Sequence, residues 1–247
     1  MKNEAIPISG EVDFAKLLER LSDDIVTAPE LLRIDDQLSD YFEKYSDEVG
    51  QATFFWDRVA IAVRETGQSR LARIYDQHEK ALSLRTLLAT IEAHKHLFDH
   101  EAVKKRVNPV NPSFAQMIVH GSHFPDPETL NKDKAQVSCN DPLVKKLVLW
   151  RGNFGAHISG KQIIKKTLPD GALPTQEEAF KLCDRAFVIF NRYSSLFRAD
   201  FLVKTLGEKG STESAFRLLR VGLAAGRKEA TEAAERLLKS TRSANQA

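Results

Sequence analysis

Apolar residues recur every three or four positions along most of this chain, and the two-residue alternation of strands is nearly absent. The spacing predicts a first helix over 11–26, with Phe14, Leu17, Leu18 and Leu21 on one face. A second is expected over 30–49, carrying Ile34, Leu38, Tyr41, Phe42, Tyr45 and Val49, with Gly50 interrupting it. A third, about 51–65, is rich in aromatics (Phe54, Phe55, Trp56), and Gly67 is read as its stop. A short helix over 69–78 precedes a longer one over 82–100 that carries Leu84, Leu87, Leu88, Ile91 and Phe98.

Between Val107 and Asn140 the pattern changes. Pro109, Pro112, Pro125 and Pro127, with Gly121, predict a long connection with room for one short helix near 127–132. Connections of this length are uncommon unless they are functional or disordered. Asp141-Pro142 then reads as an N-cap followed by proline at the first helical position. Leu143, Leu147, Trp150 and Phe154 make one apolar stripe, and Gly152 and Gly155 weaken the end of that helix. Gly160, Pro169, Gly171 and Pro174 mark a loop, after which Thr175 and Glu178 form a capping box. The helix they open has a seam of Phe180, Cys183, Phe187, Phe190, Ser194, Phe197 and Phe201, read as core packing ahead of a dimer interface. Beyond Gly207 and Gly210, residues 211–225 and 228–239 are expected to form a helical hairpin hinged at Gly226, with Phe216, Leu219, Leu223, Leu237 and Leu238 as its apolar set and a frayed polar tail. The predicted class is all-α: a helical bundle over 1–206 with extra N-terminal helices, then the C-terminal hairpin and tail over 207–247.

Composition narrows this picture only a little. The 247 residues, 42% hydrophobic and 28% charged, are enough for a sizeable core without disulfides. With 36 basic against 34 acidic residues the net charge is +2, so contact with nucleic acid would have to come from a local patch. Cys139 and Cys183 lie in no C-x-x-C pair, which argues against a thiolate zinc site and for a reducing compartment. The first residues lack the apolar core of a signal peptide, and no apolar run approaches the ~20 residues of a membrane span. A cytoplasmic location without membrane contact is expected.

The candidate chemistry lies in DPLVKKLVLWRGNFGAH, residues 141–157. Arg151 and His157 are residue types that together can break an RNA phosphodiester without a metal. Histidine titrates near neutral pH and moves protons; arginine offers a planar fork of donors for phosphate oxygens and keeps its charge. Six positions on a straight helix turn through about 600°, which leaves the two side chains roughly 120° apart. They converge if the helix ends or bends between them, as Gly152 and Gly155 permit. Asn153 between them could bind phosphate or hold the histidine tautomer. Lys145, Lys146, Lys161, Lys165 and Lys166 flank the pair, and Lys146 and Lys161 are the expected substrate-binding lysines. His96 and His100 share a helix face near His94, and His120 and His123 sit in the proline-rich stretch. Without an H-E-x-x-H pattern they read as solvated side chains, and neither a metal nor any other cofactor is expected.

Residues 74–98, 137–159 and 173–197 carry a resemblance to the HEPN superfamily, and within it to the abortive-infection U branch. The resemblance covers about half of the chain, a motif-bearing core over about 75–202. The superfamily motif is an arginine, four to six residues, then a histidine; Arg151 and His157 satisfy it with five. The polar residue that often follows the arginine stands here at Asn153, after Gly152. The resemblance implies an all-helical bundle that pairs as a homodimer, with two motifs facing each other. It implies a metal-independent endoribonuclease of phage-defence or toxin–antitoxin type, acting on RNA (tRNA or mRNA). Arg151 would stabilise phosphate charge and His157 would transfer protons. The regions outside the core would meet an antitoxin or sensor protein. Two other readings stay open: a non-catalytic HEPN-fold regulator or scaffold that binds nucleotides or RNA, and a metal-dependent enzyme using His96, His100, His120 or His123.

Overall fold

The structure, a computed structural model, describes residues 5–117, 124–152, 173–200, 202–203 and 209–244, with side chains at all of these but 114, 209–210 and 237–244. Its elements are α1 Glu11–Lys44, α2 Ser46–Gly50, α3 Thr53–Ile74, α4 Leu84–Ala93, a short 3-10 helix Lys95–Phe98, α5 His100–Val107, α6 Pro112–Met117, α7 Pro127–Gln136, α8 Pro142–Trp150, α9 Gln176–Arg198 and α10 Lys209–Ala244. The fold is all-α, with no strand among the described residues, as the three-to-four spacing predicts.

Local chemistry sets several helix starts. The Ser83 hydroxyl caps α4, and Thr86 returns a bond to the Ser83 amide. Asp126 caps α7 by accepting from the Thr129 amide, and Pro127 fills a first-turn position that needs no donor. Asp141 caps α8 through the Leu143 and Val144 amides, and Thr175 with Glu178 closes the expected capping box on α9.

Five expectations need correction. The helix expected over 82–100 is three elements, α4, the 3-10 helix and α5, so His96 and His100 do not share one helix face. The helices expected over 11–26 and 30–49 are joined through residue 44 in one helix, α1; Pro29 lies inside it, where it removes one backbone donor while Ile25, Ala28 and Leu32 stay buried on either side. Gly67 does not stop a helix; it is buried inside α3. A Cβ there would meet the Leu31 Cβ at 3.1 Å and Leu32 carbons at 3.3 Å, so the glycine permits a close approach of backbone to α1. The proline-rich stretch holds the short helix expected near 127–132, as α7, and a second one, α6, that was not expected; Pro112 and Pro127 each stand first in their helix. The hinge at Gly226 is absent. Residues 209–244 form one helix, since glycine in a helix costs only about 1 kcal/mol and the alanine, lysine, arginine and glutamate around it favour helix.

The chain divides into two compact units, residues 1–32 with 64–204 and residues 33–63 with 205–247. The first has a continuous apolar core drawn from α1, α3, α4, α7, α8 and α9. Phe14 meets Phe98 at 5.7 Å and Phe197 at 4.7 Å between ring centres, both edge-on. The α9 seam is core: Cys183, Phe190, Ser194 and Phe197 are buried, Phe180 and Phe187 pack partly buried against them, and Phe201 lies outside the described residues. Several buried polar groups in this unit are paired. The Tyr75 hydroxyl donates to the Leu182 carbonyl at 2.8 Å, and burial pushes that phenol well above its ordinary range. Asp133 accepts from the Tyr193 hydroxyl at 2.9 Å and pairs with Arg192. Asp24 takes Arg73 as a fork, at 2.9 Å from Nε and 2.6 Å from Nη2.

The second unit is organised on one ring. Phe216 of α10 is buried among Tyr41, Phe42, Tyr45 and Trp56, with centroids 5.0–6.3 Å away. Arg220 lies over the Tyr45 ring and binds Glu48 at 2.5 Å, and Lys44 binds Glu213 at 2.8 Å.

Candidate functional site

Helix α8 presents the motif arginine. Its N-terminus is pinned by Asp141, whose Oδ1 accepts from the Leu143 and Val144 amides at 3.0 and 3.1 Å and pairs with Arg185 of α9 at 3.0 Å. Val144 and Leu147 bury the inner face; Leu143 and Trp150 pack partly buried against the same core. The helix ends at Trp150, and Arg151, its C-cap, keeps helical backbone angles (φ −59°, ψ −44°) with its amide bonded to the Leu147 and Val148 carbonyls.

The Arg151 guanidinium pairs through Nη1 with Oδ2 of Asp76, whose carboxylate is buried while the arginine side chain keeps 39% of its surface exposed. A buried carboxylate needs a counter-charge, so Asp76 draws the arginine to one place. Guanidinium has five N–H donors, and anchoring one nitrogen leaves others able to meet a phosphate oxygen. The geometry thus combines a fixed cation with access to solvent.

Asp76 stands in the connection between α3 and α4, which is tied down from below. Ser83 Oγ donates to the Asp76 carbonyl at 2.9 Å, and the buried Arg85 guanidinium donates to the Gln77 carbonyl. The Gln77 amide donates to the carbonyls of Tyr75 (2.8 Å) and Val137 (2.9 Å) and accepts from the Cys139 amide at 3.1 Å. Thr86 Oγ1 donates to the Ala81 carbonyl at 2.7 Å. The other oxygen of Asp76, Oδ1, accepts from the His78 amide at 2.9 Å. Neither periodicity nor motif pointed to Asp76 or His78. The one available signal was Arg85, a charge inside the apolar run of α4.

Lys146 is half-buried and bound at 2.6 Å to Glu178, the capping-box residue of α9. That ammonium, with the Thr175 amide, holds the Glu178 carboxyl below the ordinary range. Lys145 is exposed. Asn153, Phe154, His157, Lys161, Lys165 and Lys166 lie outside the described residues, as do His120 and His123. The structure therefore places Arg151 and Lys146 of the expected site residues. His94 and His96 have ring centres 5.7 Å apart, and His100 Nε2 lies 3.6 Å from Glu101. Among the described residues no group of three or more His, Cys, Asp or Glu is arranged to hold a metal ion.

A separate cavity of about 510 Å³ opens beside Arg106, Val107, Phe197 and Arg198. Its walls are largely paired internally: Arg106 stacks 3.7 Å over Phe197 and donates to the Phe197 and Leu97 carbonyls and to Glu11, and Arg198 meets Asp200 at 3.3 Å. No helix among the described residues is long and apolar enough to cross a membrane.

No curated protein and no solved structure matches this chain. A family model does: that of AbiU2, a HEPN family, over residues 11–214, which takes in both the capped helix α8 with its arginine and the capping-box helix α9. The chain belongs to the AbiU2 family of HEPN domains.

Proposed function

We propose that this chain is a metal-independent endoribonuclease of the phage-defence or toxin–antitoxin type. The observation that carries the reading is Arg151: it caps the end of α8, with five residues between it and His157, held by a buried carboxylate and still open to solvent. In the proposed reaction the ribose 2′-hydroxyl attacks phosphorus while His157 takes or returns a proton, and the bond from phosphorus to the 5′-oxygen breaks as that oxygen is protonated. Arg151 neutralises the charge that builds on the phosphorane. The products are a 2′,3′-cyclic phosphate and a 5′-hydroxyl. Asn153 and Lys161 are proposed to hold substrate phosphates, with Lys146 contributing if it exchanges Glu178 for RNA.

The site is proposed to be completed across a homodimer. Val148 and Leu149, three and two residues before Arg151, are 37% and 39% exposed, apolar side chains next to the motif in sequence that a second copy would cover. The setting is the cytoplasm, with RNA as substrate and an antitoxin or sensor protein as the neutralising partner.

A second reading is favoured by one specific observation. Arg151 and Lys146 are both engaged in internal ion pairs, with Asp76 and Glu178. Those pairs suit a non-catalytic HEPN regulator or scaffold, in which the two cations brace the fold. Inducible expression separates the readings. The ribonuclease arrests growth of the host, and His157→Ala and Arg151→Ala each restore it at equal protein level. Growth that is unaffected by the unmutated chain, or arrest that persists in both variants, favours the regulator.

A further inference from the structure

We infer that His78 is a second phosphate-binding residue of the Arg151 site, supplied by the same chain. The inference rests on the proposed reading of Arg151 as a phosphate ligand and names a group that works beside it.

One carboxylate brings the two together. Asp76 holds Arg151 on Oδ2 and the His78 amide, at 2.9 Å, on Oδ1. The histidine backbone is therefore fixed against the same buried anion as the motif arginine. Its ring is also fixed. His78 Nδ1 accepts from the Lys80 amide at 3.2 Å, and the His78 carbonyl accepts from the Ala81 amide at 3.1 Å. An Nδ1 that accepts carries no proton, so the neutral ring bears its hydrogen on Nε2. The Nε2–H is a donor, and the residue is exposed while Tyr75, Asp76, Ser83 and Arg85 around it are buried.

Substrate-contacting side chains are held by groups whose own positions are locked, and the connection from Tyr75 to Ser83 is locked by Ser83, Arg85, Gln77 and Thr86. The connection leaves His78, Glu79 and Lys80 exposed, and Arg151 keeps 39% of its side chain exposed while tied to the same Asp76. A histidine N–H and a guanidinium tied to one carboxylate supply donors of the kind that bind the non-bridging oxygens of a phosphodiester.

The test uses the full chain and a fluorescein-labelled 2′-O-methyl oligoribonucleotide, which keeps the phosphates and removes the attacking hydroxyl. Affinity is read by fluorescence anisotropy in EDTA for the unmutated chain, Arg151→Ala, His78→Asn and His78→Gln, each checked for helicity and melting temperature. Asparagine keeps an acceptor for the Lys80 amide and loses the distal donor; glutamine keeps a distal N–H. His78→Asn is expected to weaken binding about tenfold, the size of one hydrogen bond to a charged group, and His78→Gln to stay within about threefold. Binding unchanged in His78→Asn but lost in Arg151→Ala overturns the role of His78 and leaves the Arg151 reading intact. A loss in His78→Gln as large as in His78→Asn also overturns it, by showing that the ring only shapes the loop. No Arg151-dependent binding at all overturns both.

Discussion

The two units of this chain build their interiors on different chemistry. Residues 1–32 with 64–204 share a broad core, mostly aliphatic, among six helices, and their buried polar groups Asp24, Asp76 and Asp133 each meet an arginine. Residues 33–63 with 205–247 depend on Phe216, ringed by four aromatics, with arginine and lysine pairs at its edge. The first arrangement distributes stability over many contacts. The second concentrates it at one side chain. Both units fix an arginine on a buried carboxylate, Arg151 on Asp76 in the first and Arg220 on Glu48 in the second.

The contrast is broken most sharply at Phe216. Phe216→Ala empties the aromatic cage and is expected to cost about 3–5 kcal/mol. Trp56 reports on that unit because it packs 5.0 Å from Phe216, and Trp150 reports on the other. Denaturant titration of the Trp150→Phe background should show the Trp56 transition moved to much lower denaturant. A shift under 1 kcal/mol would mean that the second unit does not depend on this ring.

Asp133→Ala strands Tyr193 and Arg192 in the first unit. Arg192 is 35% exposed and can turn to solvent, so the expected loss is about 1–3 kcal/mol, below that of a fully buried pair. Unfolding followed by Trp150 in a Trp56→Phe background measures it. Gly67→Val forces its side chain onto Leu31 and Leu32 and is expected to cost about 1–2 kcal/mol; an increase in stability would mean that the helices separate freely at this point.

The smallest effect is one of pH. Arg220 holds the Glu48 carboxyl below its ordinary range, and Lys44 does the same to Glu213. The unfolded chain therefore takes up these protons first as the medium is acidified. The stability they contribute is complete above the ordinary glutamate value of about 4.3 and is lost as pH falls through the lowered folded values. Melting of the second unit should be flat from pH 7 to 5 and fall below that, and Glu48→Gln should flatten part of the acid limb. An equal acid limb in the variant would remove Glu48 from the account.

How much was legible in the sequence follows from how local each cause is. Asp141 before Pro142, and Thr175 with Glu178, act within four residues and were readable as caps. The α9 seam was readable because a buried helix face repeats its apolar positions. Gly67 misled because its local preference for breaking a helix lost to packing against α1. Gly226 misled for the simpler reason that strong helix formers surround it. At the site, Arg151 was readable from its motif, and the end of α8 just before Gly152 agrees with the weakening read from that glycine. Asp76 and His78 were not, since nothing near Arg151 in sequence points to the connection between α3 and α4. His157, Asn153 and Lys161 remain expectations from the motif and its flanks.

The central claim is cleavage of RNA through Arg151 and His157 without a metal. The most direct measurement incubates the purified chain with total cellular RNA and with tRNA in EDTA, beside Arg151→Ala and His157→Ala chains prepared identically, and identifies the fragment ends. Fragments with 2′,3′-cyclic phosphate and 5′-hydroxyl ends from the unmutated chain, reduced about 10²–10⁴-fold in His157→Ala, are the expected result. Intact RNA with all three folded chains, or fragments undiminished in either variant, would contradict it.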